Sequence, residues 1–321
     1  NISLADYTTF RIGGPARYFI IARIEKDLIE AVKFAKSKKL PYFILGGGSN
    51  LLVSDKGFEG VVIKIQNSKI KSQNDPEQIP SELYGAGNLK FKIIQAEAGV
   101  SLGRLVRYSI EQGLTGLEWA VGIPGTVGGA IRGNAGAFSH SISEAVREVK
   151  VLNKRFHVSS FRFQDCHFGY RDSIFKKNND IILSATLQLK KGEQEESRKM
   201  LKDYLKQKKE KQPFEYPSAG CVFKNPDRGL SSIRLTEDRP LLAGYFIEQS
   251  GLKGKKIGQA MISKKHANFI VNLGPPASQG KALRAGGAKS EEVIKLIQLV
   301  KKTVQKKFKI KLEEEIEHLG F

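Results

Sequence analysis

Apolar residues recur along this chain with two alternating periods. From Asp27 to Lys38, the residues Leu28, Ala31, Val32 and Ala35 share one stripe, and the 3.6-residue spacing predicts an amphipathic helix. Short apolar runs at Tyr18 to Ala22, Pro41 to Leu45 and Val61 to Ile65 predict strands around it, a small βαβ-type unit. Ser101 is placed to cap a second helix whose buried face is Leu102, Leu105, Val106, Ser109 and Ile110, with Gly113 as its terminator. Strand-like runs follow at Val146 to Leu152, Val158 to Phe163 and Ile181 to Leu189. A charged helix then runs from about Glu195 to Lys211, where Pro213 and Pro217 break it. The last helix, Ser290 to Phe308, carries Val293, Leu296, Ile297, Val300, Val304 and Phe308 on one stripe. Between these elements, Ser68 to Lys92 loses periodicity and gathers turn formers, which predicts a domain junction with an exposed loop.

Glycine changes the picture. The stretch from Gly122 to Phe138 reads GIPGTVGGAIRGNAGAF, six glycines within fifteen residues. Such backbone approaches a ligand closely and reaches positive φ without steric cost, so its N–H groups can turn toward phosphate. A second cluster, GGGSN at Gly46 to Asn50, follows the strand at Pro41 to Leu45. The chain contains neither G-x-x-x-x-G-K-[ST] nor a complete G-x-G-x-x-G, so neither a P-loop nor a standard Rossmann turn is expected. Tight turns alone would explain one cluster; two clusters beside strands point to a cradle for a dinucleotide.

At 321 residues the chain is longer than a single compact core usually requires. No apolar run is long enough to span a membrane and no secretory segment is read at the start; a cytosolic protein is expected. Cys166 and Cys221 are far apart and in no C-x-x-C arrangement, so neither a disulfide framework nor a metal site is expected. Lys and Arg number 53 against 33 Asp and Glu, a formal charge of +20. A nucleic-acid binder is one reading of that excess. However, the lysines spread over segments such as Lys33 to Lys39, Lys199 to Lys211 and Lys301 to Lys311, without a stacking aromatic repeat between them. Solvated helix faces, or a field that gathers anionic nucleotides, account for them as well.

Seven motifs, in order, carry a resemblance: TTFRIGGPA (8–16), LGGGSNLLVSD (45–55), GLEWAVGIPGTVGGAIRGNAGAF (116–138), FGYRDSIFK (168–176), YPSAGCVFKNP (216–226), SKKHANFIVN (263–272) and LEEEIEHLG (312–320). In that order the chain resembles the UDP-N-acetylenolpyruvoylglucosamine reductase family, flavoenzymes of peptidoglycan precursor synthesis. The resemblance implies an α+β fold: an FAD-binding fold of the vanillyl-alcohol oxidase type in two subdomains, expected at 1–66 and 67–212, plus a separate substrate domain at 213–321. It implies non-covalent FAD, NADPH as co-substrate, and reduction of a UDP-sugar enolpyruvyl ether, with no nucleic-acid or membrane partner and a monomer as working unit. On the family pattern, FAD contacts fall on Thr9, Arg11, Ile12, Gly13 and Gly14, on Gly46, Gly47, Gly48, Ser49, Asn50 and Leu51, and on Gly122, Ile123, Pro124, Gly125, Thr126, Val127, Gly128, Gly129, Ala130, Asn134, Ala135 and Gly136. The short Arg171 to Cys221 spacing resembles the family's second type, which lacks an extra substrate-covering loop. Segments 72–92, 228–241 and 275–289 are longer than the pattern.

The chemistry then sets its own demands. Hydride addition to an enolpyruvyl alkene leaves negative charge beside a carboxylate, which calls for a cation or acid at that carboxylate and a proton donor at the neighbouring carbon. By match to the family's motifs these are Arg171, Glu315 and Cys221. Arg171 could equally be an ion-pair partner of Asp165 or Asp172, Glu315 one of a solvated glutamate run, and Cys221 a buried structural cysteine. The family more often has serine where Cys221 stands, and a thiol yields its proton more readily than an alcohol. Tyr170, Lys224, Asn225, His266 and Asn268 are expected around the substrate, His266 without a catalytic role. Other flavoenzymes of the same fold, such as a sugar-lactone oxidase, are the alternative.

Overall fold

Alternation and periodicity resolve into six α-helices and eighteen strands over the residues that the computed structural model describes, 2–73, 91–226, 242–274 and 286–321. In chain order these are β1 (Ile2–Ser3), β2 (Pro15–Ala22), α1 (Glu25–Ser37), β3 (Tyr42–Leu45), β4 (Leu51–Val53), β5 (Phe58–Ile65), β6 (Ile70–Gln73) and β7 (Phe91–Glu97). Next come α2 (Leu102–Glu111), β8 (Leu114–Thr115), α3 (Val127–Arg132), β9 (Gly136–Ala137), β10 (His140–Ser141), β11 (Val146–Leu152), β12 (Val158–Arg162), β13 (Ile181–Lys191) and α4 (Gln194–Lys211). The remainder are β14 (Ser218–Cys221), α5 (Ala243–Gln249), β15 (Lys256–Ile257), β16 (Ala260–Ile262), β17 (Phe269–Asn272), α6 (Ser290–Phe308) and β18 (Glu317–Leu319). No helix among the described residues is long and apolar enough to cross a membrane.

Contacts group these elements into two discontinuous units, one of residues 1–19, 48–61 and 209–321, the other of 20–47 and 62–208. The expected division at 66 and 212 stays a proposal, and contacts partition the chain differently because it leaves and re-enters the first unit within β2, near Gly48 and within β5. A four-stranded sheet runs in the order β1-β2-β5-β3.

In the second unit, an antiparallel sheet runs β12-β11-β13-β7-β6, with β8 also on β13. β13 is its spine: seven successive residues, Ile181 to Leu187, are buried, as expected of a strand covered on both faces. One expectation needs correction here. Ile70–Gln73, inside the stretch read as a structureless junction, is a strand paired with β7, Ile70 opposite Ala96. One isoleucine followed by three polar residues gives no alternation to separate it from loop. Phe91 and Lys92, at the far end of the same stretch, begin β7; residues 74–90, all of segment 228–241 and 275–285 lie outside the described residues.

In the first unit, α6 packs its stripe into the core: Val293, Leu296, Ile297, Val300 and Val304 are each 2 % exposed or less. Burying five such side chains contributes about 10 kcal/mol before the entropic cost of ordering them. The same core holds Phe10, Ile12, Leu52, Val222, Phe223, Phe246, Leu312 and Ile316. It therefore anchors four motif segments that sequence alone had left far apart.

Candidate active site

Cys221 ends β14, which pairs antiparallel with β17. The register advances three residues from Ser218 to Cys221 while the partner advances two, from Val271 to Phe269. The extra residue is a β-bulge, and Gly220 at φ +78° takes the conformation it needs. Bulges bend a strand and re-aim its side chains; Cys221 emerges half-buried, between the buried Ala219 and Val222. The second cysteine contrasts with it. Cys166 is fully buried, its Sγ 3.3 Å from the Arg162 carbonyl, and burial next to Asp165 pushes its thiol up to about 12.

Immediately after Cys221 the chain pairs with the C-terminal motif. Phe223 bridges Glu314, the Glu315 N–H donates to the Val222 carbonyl at 2.8 Å, and the Lys224 N–H donates to Glu313 at 2.9 Å. Glu315 is thereby held one residue across from Cys221. Alternation sorts the glutamate run. Glu313 lies 3.6 Å from the Lys224 ammonium. Glu314 is engaged elsewhere, its carboxylate 2.6 Å from His318 Nε2 and bonded to Lys301. Glu315 falls on the side of Glu313, and Leu312 and Ile316 bury themselves in the core.

Glu314 is a structural tie. The His318 hydrogen bond, reinforced by Lys301, holds its carboxyl down at about 2 from an ordinary 4.5. A depressed carboxyl stabilises the fold above its unfolded value and loses that contribution as pH falls through the folded one. Glu314→Gln is expected to cost about 1–2 kcal/mol at pH 7, allowing for partial solvent screening, with the deficit shrinking as pH drops from 4.5 toward about 2. Urea unfolding of both proteins across that window checks it.

The remaining substrate-side residues divide. Asn225 Oδ1 accepts the Ala243 N–H at 3.1 Å, at the start of α5. Asn268 is 3 % exposed and spends its amide on both backbone groups of Phe223, at 2.9 and 2.8 Å; it shapes the Cys221 segment through Phe223. His266 is held by an edge-on Phe269 ring and accepts the Asn268 N–H. Burial, with Lys253 adding to it, lowers its pKa.

Two expected cofactor segments join the same unit. The Thr9 hydroxyl donates to the Ser218 carbonyl at 2.7 Å and its N–H to Gly48 at 3.0 Å. Asn50 donates its amide to the Glu315 carbonyl at 2.9 Å. Arg11 is exposed with φ +55°, whereas Ile12 and Leu51 point into the core and offer a ligand only backbone. Gly13 is required locally: at φ +139°, a Cβ would lie 2.6 Å from Val53 Cβ, while the Gly14 N–H donates across to the Ser54 carbonyl at 2.8 Å. Ser49 is half-buried between Gly48 and Asn50.

The second unit holds the other glycines, and its two clusters touch. A Cβ on Gly47 would stand 2.6 Å from Gly125 Cα, and one on Gly46 2.7 Å from Thr126 Oγ1. Gly122 and Gly125 adopt φ +71° and +129°, leading through Ile123 and Pro124 to Thr126, which caps α3 by accepting the Gly129 N–H. Within α3, the N–H groups of Val127, Gly128 and Ala130 go to Val100, Ala98 and Thr126, so the backbone able to meet a ligand lies before the helix. Asn134, after α3, holds the Gly169 carbonyl at 2.8 Å; the Ala135 N–H bonds Ala130. Arg171, at φ +54°, donates to the Gly136 carbonyl at 2.8 Å and lies 5.3 Å from the exposed Tyr170 ring. Asp172, one of its possible ion partners, is 3.3 Å from Lys177.

Sequence reading missed two lysines. Lys208 belongs to a segment read as solvated helix, yet it is 3 % exposed, because α4 turns it onto the carbonyls of the 119–121 turn. Lys64, in β5, bonds the Gly46 carbonyl. An isolated lysine in an apolar strand was the only available signal.

Comparison with known proteins identifies the family. Residues 16–155 match the family model described as FAD binding domain, and residues 212–319 the one described as UDP-N-acetylenolpyruvoylglucosamine reductase, C-terminal domain. The chain is 40 % identical to UDP-N-acetylenolpyruvoylglucosamine reductase of Caldicellulosiruptor bescii over 99 % of its own length and 89 % of the relative's. It is 36 % identical to that of Clostridium novyi, over 100 % and 91 %. The crystal structure of the Thermus caldophilus reductase superposes with a TM-score of 0.71 at 32 % identity, covering 99 % of this chain and 98 % of that one. The expected α+β fold, with an FAD-binding part and a separate C-terminal domain, is borne out, and the chain belongs to the UDP-N-acetylenolpyruvoylglucosamine reductase family.

Proposed function

We propose that the protein reduces the enolpyruvyl ether of UDP-N-acetylglucosamine to UDP-N-acetylmuramate, with NADPH as reductant and FAD as carrier, as a cytoplasmic monomer. The observation that supports the reading is the backbone pairing of Val222 to Lys224, directly after Cys221, with Glu313 to Glu315, which brings the two chain segments together over one shared core. The residues fit FAD on structural grounds: two lengths of bare backbone meet at Gly47 and Gly125, and two lysine ammoniums, Lys64 and Lys208, bond carbonyls in or next to those lengths, a donor set suited to a diphosphate. Thr9, Arg11, Gly46 to Asn50 and Gly122 to Thr126 would hold the cofactor, which when bound supplies hydride from NADPH to the alkene.

The protein's own groups do the rest. Arg171 presents a planar guanidinium to the substrate carboxylate. Glu315, as an acid, shares that carboxylate's growing charge. The Cys221 thiol gives its proton to the carbon next to the carboxylate. Lys224 and Asn225, beside Cys221 in sequence, bind phosphate or sugar oxygens, and Tyr170 packs against the ligand next to Arg171.

An absorption spectrum of purified protein, before and after NADPH, tests the reading. Flavin bands that bleach with NADPH and return on adding the UDP-sugar enol ether are expected, with the chromophore released on denaturation. A protein that takes up no FAD, or that is reoxidised only by oxygen, overturns it.

A further inference from the structure

Two lysines of the second unit, Lys208 buried and Lys64 half-buried, spend their ammoniums on backbone at the glycine clusters. Lys208 Nζ donates to the carbonyls of Trp119 at 3.1 Å and Val121 at 2.5 Å, and stands 5.5 Å from the Phe138 ring. Lys64 Nζ donates to the carbonyl of Gly46. Burial pulls Lys208 down to about 8 and lowers Lys64 as well, so each ammonium is held in place at a cost in hydration. The accepting carbonyls sit at the entrances to the two glycine clusters.

A trans peptide is planar, with C=O and N–H on opposite edges. Pinning the Gly46 carbonyl toward Lys64 therefore turns the Gly47 N–H away from the lysine. Pinning the Val121 carbonyl toward Lys208 turns the Gly122 N–H away likewise. The two loops are in contact at Gly47 and Gly125, so both lysines act on one backbone assembly.

We propose that Lys64 and Lys208 are positioning residues for the cofactor cradle: each grips carbonyls from behind, fixes the N–H groups of Gly47 and Gly122 toward an anionic ligand, and adds positive potential under it. The ligand class is a dinucleotide diphosphate. This rests on the FAD reading above, and it deepens that reading by assigning the cradle's geometry to two side chains outside the glycine motifs.

The test is a titration of apo-protein with FAD, followed by flavin fluorescence, for the wild type and for Lys64→Met, Lys208→Met, Lys64→Arg and Lys208→Arg. Circular dichroism confirms that each is folded at the temperature used. Loss of one charge-assisted brace is expected to weaken FAD binding about tenfold, and loss of both about a hundredfold. The Arg variants, which keep cation and donors, are expected to stay within about threefold. The Met variants should also bind FAD with a shallower salt dependence. Should Lys208→Met not fold, Lys208→Gln, which keeps an amide donor and drops the charge, is read in its place. A wild type that binds no FAD overturns the flavin reading and this inference together. A wild type that binds FAD, with folded Met or Gln variants that bind it equally well, overturns the inference alone.

Discussion

Replacing Cys221 by alanine is expected to leave reduction of bound FAD by NADPH intact while slowing reoxidation by the UDP-sugar enol ether about a thousandfold, the middle of the range for a lost general acid. The split follows from where Cys221 sits. It terminates a strand whose neighbours Ala219 and Val222 are buried and whose bulge at Gly220 absorbs the local geometry. Removing one half-buried sulfur therefore leaves the backbone pairing with Glu313 to Glu315 in place. Serine at this position keeps an O–H donor and should retain much of the turnover. Stopped-flow measurement of both half-reactions decides the matter: equal slowing of the two would assign Cys221 to packing rather than proton transfer.

What the sequence disclosed depended on how local the signal was. The helix capped by Ser101 buries Leu102, Leu105, Val106, Ser109 and Ile110, the five residues its periodicity marks, and α6 does the same along its stripe as far as Val304, with Phe308 half-buried at its end. Each signal is complete within one element. Strand β6 escaped because its meaning lies in pairing with β7. The bulge before Cys221 escaped for the same reason, since a register shift exists only relative to a partner. Lys208 looked like its neighbours on a lysine-rich helix, and only the 119–121 turn folding beneath α4 makes it different. The glutamate run was ambiguous in one dimension; Lys301 and His318 claim Glu314, and strand alternation sets Glu315 apart. Unit boundaries were least legible, because the first unit is assembled from three pieces of chain.

Gly47→Ala is expected to yield folded but largely colourless protein, with FAD affinity reduced about tenfold to a hundredfold, the equivalent of 1–3 kcal/mol of overpacking. The added methyl would sit 2.6 Å from Gly125 Cα and 3.2 and 3.3 Å from its carbonyl carbon and nitrogen. These are backbone atoms, so no rotamer change relieves the clash and the two loops must part. Separation moves the Gly47 and Gly125 backbone that the dinucleotide reading assigns to the cofactor, while the cores, built around α6 and around β13, are untouched. Gly103→Ala is the matched control. It lies in α2 with nothing within 4 Å of the new methyl, and alanine's lower backbone entropy in a helix should stabilise the protein by about 0.5–1 kcal/mol without changing flavin content. If Gly47→Ala carries as much FAD per chain as Gly103→Ala, close contact of the two loops is a packing feature alone and the cradle lies elsewhere.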